Sequence, residues 1–431
     1  MKKGINFLMI ILIFTGCATK LTKEQSGQLL KAYSEKNFFK LGNLMSKVEF
    51  NKDNPDLILY KATLDNVFNK PAESIQLINI LLDKYPKHFN DTTLQDLYSM
   101  RAQNSNRLQD YRNTYIDDSL VISKYKYLLD SAEIDSRNDD ILFYRNLANV
   151  PKMEIIKDGD CQILLKRDMA GLFNVPVIIK NDTTDFVFDT GANVSVITAS
   201  LAKKYGIKTI GSTVKIGGGT GIKINARIGL LDLKLGNIQI KNSYILIFPD
   251  SALSFGNGIY KMKGIIGFPI MYHLQEFEVK DDKFLIIPKK PEVTDNKNLA
   301  LDNSFPVIMV VYKNDTLPFH FDSGASNTEF YSSFFQKYKK EIVANCKLEK
   351  TTFGGAGGAV TSETYIMDTV TISAGNSHCE IDSVRISQKD LLGNDVKYQY
   401  GNLGQDYIKQ FSEMKINFAS MNISFANKKI K

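Results

Sequence analysis

The sequence predicts a multidomain α+β protein in which an N-terminal α-helical, repeat-like domain precedes an all-β domain of two related lobes. Two observations carry this prediction. Apolar residues follow a helical period through the first third of the chain, and from about residue 160 runs with a period of two and clusters of glycine replace it. Within this second part, a series of short motifs occurs twice in the same order, which indicates an internal duplication.

Residues 1–17 predict an export signal that is not part of the fold. Lys2 and Lys3 form a positively charged start, an apolar run covers residues 7–14, and a small residue precedes Cys17. The segment resembles the lipobox of bacterial lipoproteins, with Phe14 replacing the usual aliphatic residue. The resemblance implies cleavage before Cys17 and acylation of its thiol; an ordinary signal peptide or a simple membrane anchor are the alternatives. We therefore expect an exported body held by lipid at a bacterial membrane, for which Ala18 favours the outer membrane.

Residues 18–155 predict a helical domain. Apolar residues recur at helical spacing from Leu57 to Phe68, and again from Ile75 to Tyr85, with Pro71 suited to the first turn of the second helix. Paired helices with short turns resemble tetratricopeptide-type hairpins, and an irregular helical bundle is the alternative. Such a domain could bind a protein partner, cover a cleft in the β region, or space that region from the membrane.

The duplication defines a first lobe at residues 160–288, a polar, proline-bearing linker at 289–299 and a second lobe at 300–428. Asp189-Thr190-Gly191-Ala192 in the first copy matches Asp322-Ser323-Gly324-Ala325 in the second, 133 residues later, and each follows an alternating apolar run. The other matched segments are residues 176–179 with 306–309, 217–221 with 354–358, 265–267 with 402–404, and 277–280 with 414–417.

The repeated tetrapeptide predicts an active site with one carboxylate from each lobe. Two carboxylates about 3 Å apart share one proton, so that the ionised member can activate a water molecule while the other donates to a carbonyl oxygen. Gly191 and Gly324 are expected to supply positive φ, close backbone approach and a free N–H group. The hydroxyl groups of Thr190 and Ser323 are expected to hydrogen-bond across the lobes.

These motifs are similar to those of the aspartic peptidases, the pepsin and retroviral-protease superfamily, and are closer to the retroviral type. The resemblance implies that Asp189 and Asp322 are catalytic and that an apolar–apolar–glycine element forms a ψ-shaped loop around each aspartate. Ile266 and Gly267 occupy that place in the first lobe. In the second lobe Leu403 and Gly404 do so, although Asn402 replaces an apolar residue. The glycine-rich segments resemble flap tips that contact substrate, with plain hairpin turns as the alternative; the flap candidates are Gly217, Gly218, Gly219, Gly354, Gly355 and Gly357.

The resemblance therefore predicts a lipid-anchored aspartic endopeptidase that takes an extended peptide or protein substrate and needs no cofactor or metal. One alternative is a peptide- or protein-binding lipoprotein with a decayed or gated protease-like domain. Another is an amide hydrolase that acts on cell-wall crosslinks. The net charge of +7 is modest and not concentrated, so no nucleic-acid partner is expected.

Two smaller expectations concern cysteine and histidine. Cys346 and Cys379 could pair in an exported compartment, although free buried thiols, as for Cys161, fit equally well. No Cys/His cluster suggests a metal site. His320 is expected to pack against neighbours or face solvent rather than act in catalysis.

Overall fold

A computed structural model describes residues 21–375, 377–389 and 396–428 of the 431-residue chain. The predicted export signal and the lipidation site Cys17 lie outside the described residues. Among the described residues, no helix has the length and apolar character needed to cross a membrane.

The N-terminal region is helical, as the sequence predicts, and each helix packs against the next. The N-termini of its helices follow local capping rules. Thr22 forms a capping box with Gln25, Asn54 caps a helix that begins at Pro55, and Pro71 occupies the first turn of the next helix. The helices are α1 (Lys23–Ser34), α2 (Phe38–Met45), α3 (Pro55–Val67), α4 (Pro71–Lys84), α5 (Asp91–Arg107), α6 (Tyr111–Tyr125) and α7 (Ser131–Leu147).

The first lobe is built on a nine-stranded sheet, in the order β1-β9-β6-β12-β5-β4-β8-β7 with β3 beside β4. Its elements, together with the strands that the lobe gives to other sheets, are β1 (Glu154–Ile156), β2 (Cys161–Leu164), β3 (Lys166–Arg167), β4 (Phe173–Ile179), β5 (Asp182–Phe188), β6 (Val196–Thr198), α8 (Ala199–Lys204), β7 (Lys208–Gly217), β8 (Lys223–Leu235), β9 (Ile238–Phe248), β10 (Ser254–Phe255), β11 (Tyr260–Lys261), β12 (Gly264–Ile266), α9 (Phe268–Leu274), β13 (Glu276–Lys280) and β14 (Phe284–Ile287).

Two local details describe the start of the first lobe. The predicted boundary at residue 155 falls inside β1, because Glu154–Ile156 already pairs with β9. The hairpin β4–β5 turns tightly at residues 180–181, since Asp182 pairs with Ile179 and Lys180 takes a positive φ of 58°.

The second lobe repeats this plan in an eight-stranded sheet, in the order β15-β16-β17-β22-β18-β21-β20-β19. Its elements are β15 (Leu299–Asp302), β16 (Phe305–Tyr312), β17 (Asp315–Phe321), β18 (Glu329–Phe330), α10 (Ser332–Asn345), β19 (Lys347–Gly355), β20 (Gly358–Ala374), β21 (Ser377–Ser387), β22 (Gly401–Leu403), α11 (Gln405–Ile408), β23 (Phe411–Asn417) and β24 (Asn422–Asn427).

A third sheet joins the lobes, in the order β2-β14-β13-β23-β24. The duplicated segments at 277–280 and 414–417 lie side by side in it, because β13 pairs antiparallel with β23, with Phe277 opposite Ile416 and Val279 opposite Met414. A single apolar core runs through both lobes and this shared sheet. The two aspartate loops are therefore carried by one continuous structure.

The helical domain packs on both lobes. Phe143 and Leu147 of α7 share an apolar cluster with Val214 and Ile224 of the first-lobe hairpin β7–β8. On the second lobe, buried Arg107 donates to the Asn303 carbonyl. The three described cysteines are free thiols, so Cys346 and Cys379 form no disulfide.

Candidate active site

Each candidate aspartate follows the end of a central strand. Its backbone N–H donates to the apolar–apolar–glycine segment of the same lobe. β12 runs parallel to β5, and the Asp189 N–H donates to the Ile266 carbonyl at 3.0 Å. β22 runs parallel to β17 in the same way, and the Asp322 N–H donates to the Leu403 carbonyl at 3.0 Å. The apolar–apolar–glycine segments thus lie beside the aspartates.

The two carboxylates come together across the lobe interface. A Cβ atom added to Gly191 would lie 2.4 Å from the Asp322 Cγ, and one added to Gly324 would lie 2.1 Å from the Asp189 Cγ. The position after each hydroxyl residue must therefore be glycine because the opposite carboxylate occupies the space of a side chain. The expected positive φ is wrong for both glycines, neither of which lies in the left-handed region. Close approach is the reason for glycine here.

Thr190 and Ser323 join the two loops through four hydrogen bonds. The Thr190 N–H donates to Ser323 Oγ at 3.0 Å, and the Ser323 N–H donates to Thr190 Oγ1 at 2.9 Å. Each hydroxyl then donates onward to the opposite lobe, from Thr190 to the Phe321 carbonyl at 3.0 Å and from Ser323 to the Phe188 carbonyl at 2.8 Å. Both side chains are buried, so this exchange fixes the relative position of the carboxylates.

Backbone N–H groups also face the carboxylates. The Gly191 and Ala192 N–H groups donate to Asp189 Oδ1 at 2.8 and 3.1 Å, and the Gly324 N–H donates to Asp322 Oδ1 at 2.8 Å. Burial holds the pKa of Asp189 well above the usual aspartate range, with further contributions from the charge of Asp322 and the hydrogen bond to it. The N–H groups oppose this rise only in part. The pair is thus disposed to retain a proton between its members.

Two buried hydroxyl residues that the sequence analysis did not single out support the ψ-shaped loops. Ser195 Oγ accepts from the Gly267 N–H at 3.0 Å, and Thr328 Oγ1 accepts from the Gly404 N–H at 3.1 Å. These residues occupy the same place in the two copies, six positions after each aspartate. That repeated hydroxyl was the available signal, but the two residues differ in type and neither belongs to a short recognisable motif.

The glycine-rich segments lie at the tips of two hairpins, β7–β8 and β19–β20, and the tips touch each other. A Cβ atom added to Gly218 would lie 1.9 Å from the Ala356 carbonyl oxygen, and one added to Gly355 would lie 3.3 Å from the Gly219 Cα. Gly357 donates its N–H to the Ala252 carbonyl at 2.9 Å. Gly217 and Gly354 lie in the adjoining strands, where a Cβ atom would meet nothing within 4 Å.

His320 and Asn402, the two other residues that the sequence analysis singled out in the second lobe, both lie near Asp322. His320 is buried on β17 and stacks on Phe305 with ring centroids 5.1 Å apart, so it packs rather than facing solvent. Asn402, the residue that departs from the apolar pattern, places its amide Nδ2 3.3 Å from Asp322 Oδ2. In the described parts of the chain, no group of three or more His, Cys, Asp or Glu side chains could hold a metal ion.

Comparison with known families agrees with this arrangement. Residues 175–270 match a family model described as aspartyl protease. The matched segment runs from β4 to α9 and contains the first aspartate, the first hairpin and the first ψ-shaped loop. No curated protein matches the chain closely enough to serve as a named relative. The chain therefore contains an aspartyl-protease-like domain, preceded by a helical region.

Proposed function

We propose that the protein is an aspartic endopeptidase whose active site is the pair Asp189 and Asp322. The observation that carries the proposal is the close packing of the two aspartate loops. Each carboxylate fills the space that a side chain would need at the glycine of the opposite lobe. A fold in which one lobe merely supports the other would not need this contact. Intact carboxylates, glycines and interlocking hydroxyl groups in both copies argue against a decayed pair.

The pair can activate water without a covalent intermediate. One proton is shared, because two carboxylates in contact in a buried site do not both ionise. The ionised aspartate removes a proton from a bound water molecule, whose oxygen attacks the scissile carbonyl carbon, while the protonated aspartate donates to the carbonyl oxygen. In the collapse of the tetrahedral intermediate the amine nitrogen leaves with a proton, and the roles of the two carboxyl groups reverse.

An extended peptide is the substrate that the hairpins suit best. β7 and β19, the first strands of the two hairpins, lie at the outer ends of their sheets, and edge strands can pair with an added backbone. The glycine-bearing tips between the lobes could part to admit such a segment and close to exclude water. Pairing through the backbone leaves side-chain preference to pockets beside the dyad.

We further propose that the body is exported and lipid-anchored through Cys17, most consistently at the outer membrane. The support is the charged start, the short apolar run and the small residue before that cysteine.

The helical domain, with its tetratricopeptide-like pairing of helices, is proposed as a surface for a protein partner. Both proposals concern where and on what the peptidase acts, and its chemistry does not depend on them.

The test is cleavage of a mixed peptide library from pH 3 to 8 by residues 18–431, beside Asp189→Asn and Asp322→Asn. Asp185→Asn is the matched control. Asp185 lies on β5, the strand that leads into the first aspartate loop, but its side chain pairs with Lys166 at the surface. We expect cleavage by the wild type and the control, and a loss of at least about 100-fold in each dyad variant. Binding of peptides without cleavage at any pH would instead support the peptide-binding alternative. Cleavage restricted to amide crosslinks of cell-wall type would support the other hydrolase.

A further inference from the structure

The two halves of the dyad differ at one pair of neighbouring positions. In the first lobe, Val187 on β5 lies opposite Ile265 on β12, and both belong to an apolar cluster. In the second lobe, the equivalent positions on β17 and β22 are His320 and Asn402, again opposite each other in a parallel pair. The register is the same, so the second lobe has a polar pair beside its aspartate where the first lobe has an apolar one.

This difference between the lobes affects the hydrogen bonds that each aspartate accepts. Asn402 Nδ2 donates to Asp322 Oδ2 at 3.3 Å, while the Gly324 N–H donates to Oδ1. Asp322 thus receives a donor on each oxygen. Asp189 receives its two backbone donors on Oδ1 alone, and Ile265 cannot supply an equivalent of the amide. Each carboxylate thus accepts two donors, and the difference lies in their distribution: both oxygens of Asp322 accept, which favours its ionised form, whereas Asp189 Oδ2 is left to carry the shared proton.

The polar pair, His320 and Asn402, lowers the stability of the folded protein relative to an apolar pair at the same positions. His320 Nε2 and Asn402 Oδ1 are buried, and neither has a hydrogen-bond partner among the described residues. An unpartnered buried polar atom destabilises the fold, whereas the first lobe fills the same two positions with well-packed apolar groups. Such a cost in stability is common at functional sites, which makes this pair a candidate for a functional role.

We propose that Asn402 is a positioning residue that makes the two aspartates inequivalent. Its amide holds Asp322 as the ionised member of the resting pair, which activates the water, and leaves the shared proton on Asp189, which donates to the substrate carbonyl. The inference rests on the proposed function for its catalytic meaning, but the location of the proton is a property of the folded protein. The titratable groups that face Asp322 are Asp189 across the interface and, within the second lobe, His320 with Asp302 beyond it.

The test follows the two carboxyl groups directly in the full-length chain. Aspartate side chains are labelled with ¹³C, the two resonances are assigned by their loss in Asp189→Asn and Asp322→Asn, and each is titrated in the wild type and in Asn402→Ile, which copies the first lobe. We expect the wild-type Asp322 resonance to titrate at lower pH than that of Asp189. In Asn402→Ile its midpoint should rise by about one pH unit, the change expected for one lost hydrogen bond to a charged group. His320→Val, which removes the other polar residue and keeps the amide, is the control and should leave that order unchanged.

A reciprocal variant and an activity readout complete the test. Ile265→Asn gives Asp189 the same kind of donor and should bring the two midpoints closer together. Where peptides are cleaved, the acidic limb of kcat/KM should move upward with the Asp322 midpoint in Asn402→Ile. An unchanged or lower Asp322 midpoint in that variant would overturn the proposal, even if thermal stability fell. Because the resonances are read without substrate, absence of cleavage would count against the proposed function and not against this inference.

Discussion

The helical domain contacts the first lobe at the hairpin β7–β8 and the second lobe at the strands β15 and β16. Asn146 at the end of α7 donates to the Ser212 carbonyl at 3.2 Å, and its side chain fills a bulge in β7 where Gly211 has a φ of 61°. On the second lobe, Phe38 and Val67 instead pack with Ala300 and Val307, on β15 and β16. The hairpin β19–β20 packs against α10 of its own lobe.

A duplicated plan therefore need not give two equivalent halves. The features that need both lobes at once, namely the carboxylates, the opposing glycines and the hydroxyl exchange, are the same in each copy. The features that face only one lobe differ: the polar pair at His320 and Asn402, and the attachment of one hairpin to α7. Symmetry is therefore kept in the groups that contact both lobes and lost in the groups that contact one lobe alone.

The largest effect is expected where the copies are most alike. Gly324→Ala and Gly191→Ala leave both carboxylates in the chain, but the added methyl group collides with the opposite carboxyl carbon and must displace it. We expect peptidase activity to fall at least about 100-fold, since misplacement of about 1 Å can have that effect. Gly159→Ala, where a Cβ atom meets nothing within 4 Å, is the control for activity and folding. Near-normal activity in either interface variant would show that the carboxylates are not packed as described.

The next effect concerns stability at the same interface. Thr190→Val and Ser323→Ala each leave a buried N–H group and a buried carbonyl without a partner, so we expect each to lower the free energy of unfolding by about 1–3 kcal/mol. Thr183→Val, at an exposed position on β5, is the matched control and should change little. Denaturant unfolding measures both. If the two losses simply add in the double variant, the hydroxyl groups do not act as one linked unit.

A smaller effect tests the attachment of the first hairpin. Asn146→Ala removes the hydrogen bond to Ser212, and we expect faster amide hydrogen exchange in residues 208–217 with little change in 347–355. Asp139→Asn weakens the ion pair with Lys223, at the start of β8, and should act in the same direction. Equal changes in the two hairpins would mean that they open together and that α7 does not hold one of them preferentially.

The smallest effect is a dependence of stability on pH. The pKa of Asp189 is raised in the folded protein, so the folded state binds more protons than the unfolded state above the unfolded pKa. Its favourable contribution is complete at low pH and is lost as pH rises through the folded pKa. The melting temperature of Asp189→Asn, minus that of the wild type, should therefore increase from pH 4 to pH 8. A difference that shrinks over this range would contradict the raised pKa.

The sequence predicted the parts of the site that lie in short contiguous motifs. Asp189 and Asp322 could be found because each heads a tetrapeptide and the tetrapeptides repeat, and the repeat itself predicted two lobes. The reason for Gly191 and Gly324 was misjudged, because a sequence displays local backbone needs but not the carboxylate that approaches from the other lobe.

Features that depend on distant segments were not predictable in the same way. The pairing of β13 with β23 joins residues far apart in the chain, and nothing in either strand specifies its partner beyond an apolar pattern. Ser195 and Thr328 contact their glycines only after the ψ-shaped loops have formed. The contact of Asn402 with Asp322 was visible in advance only as an irregularity in the repeat.

Whether both lobes make one active site is tested most directly by the stoichiometry with which a transition-state analogue binds. A peptide taken from the cleaved library, with a hydroxyethylene group replacing the scissile amide, is titrated calorimetrically into the wild type, Asp189→Asn and Asp322→Asn. We predict one molecule bound per chain, with affinity reduced at least about 100-fold in either variant, because such analogues derive their affinity from the catalytic groups. Two molecules per chain, or full affinity in either variant, would contradict a shared active site.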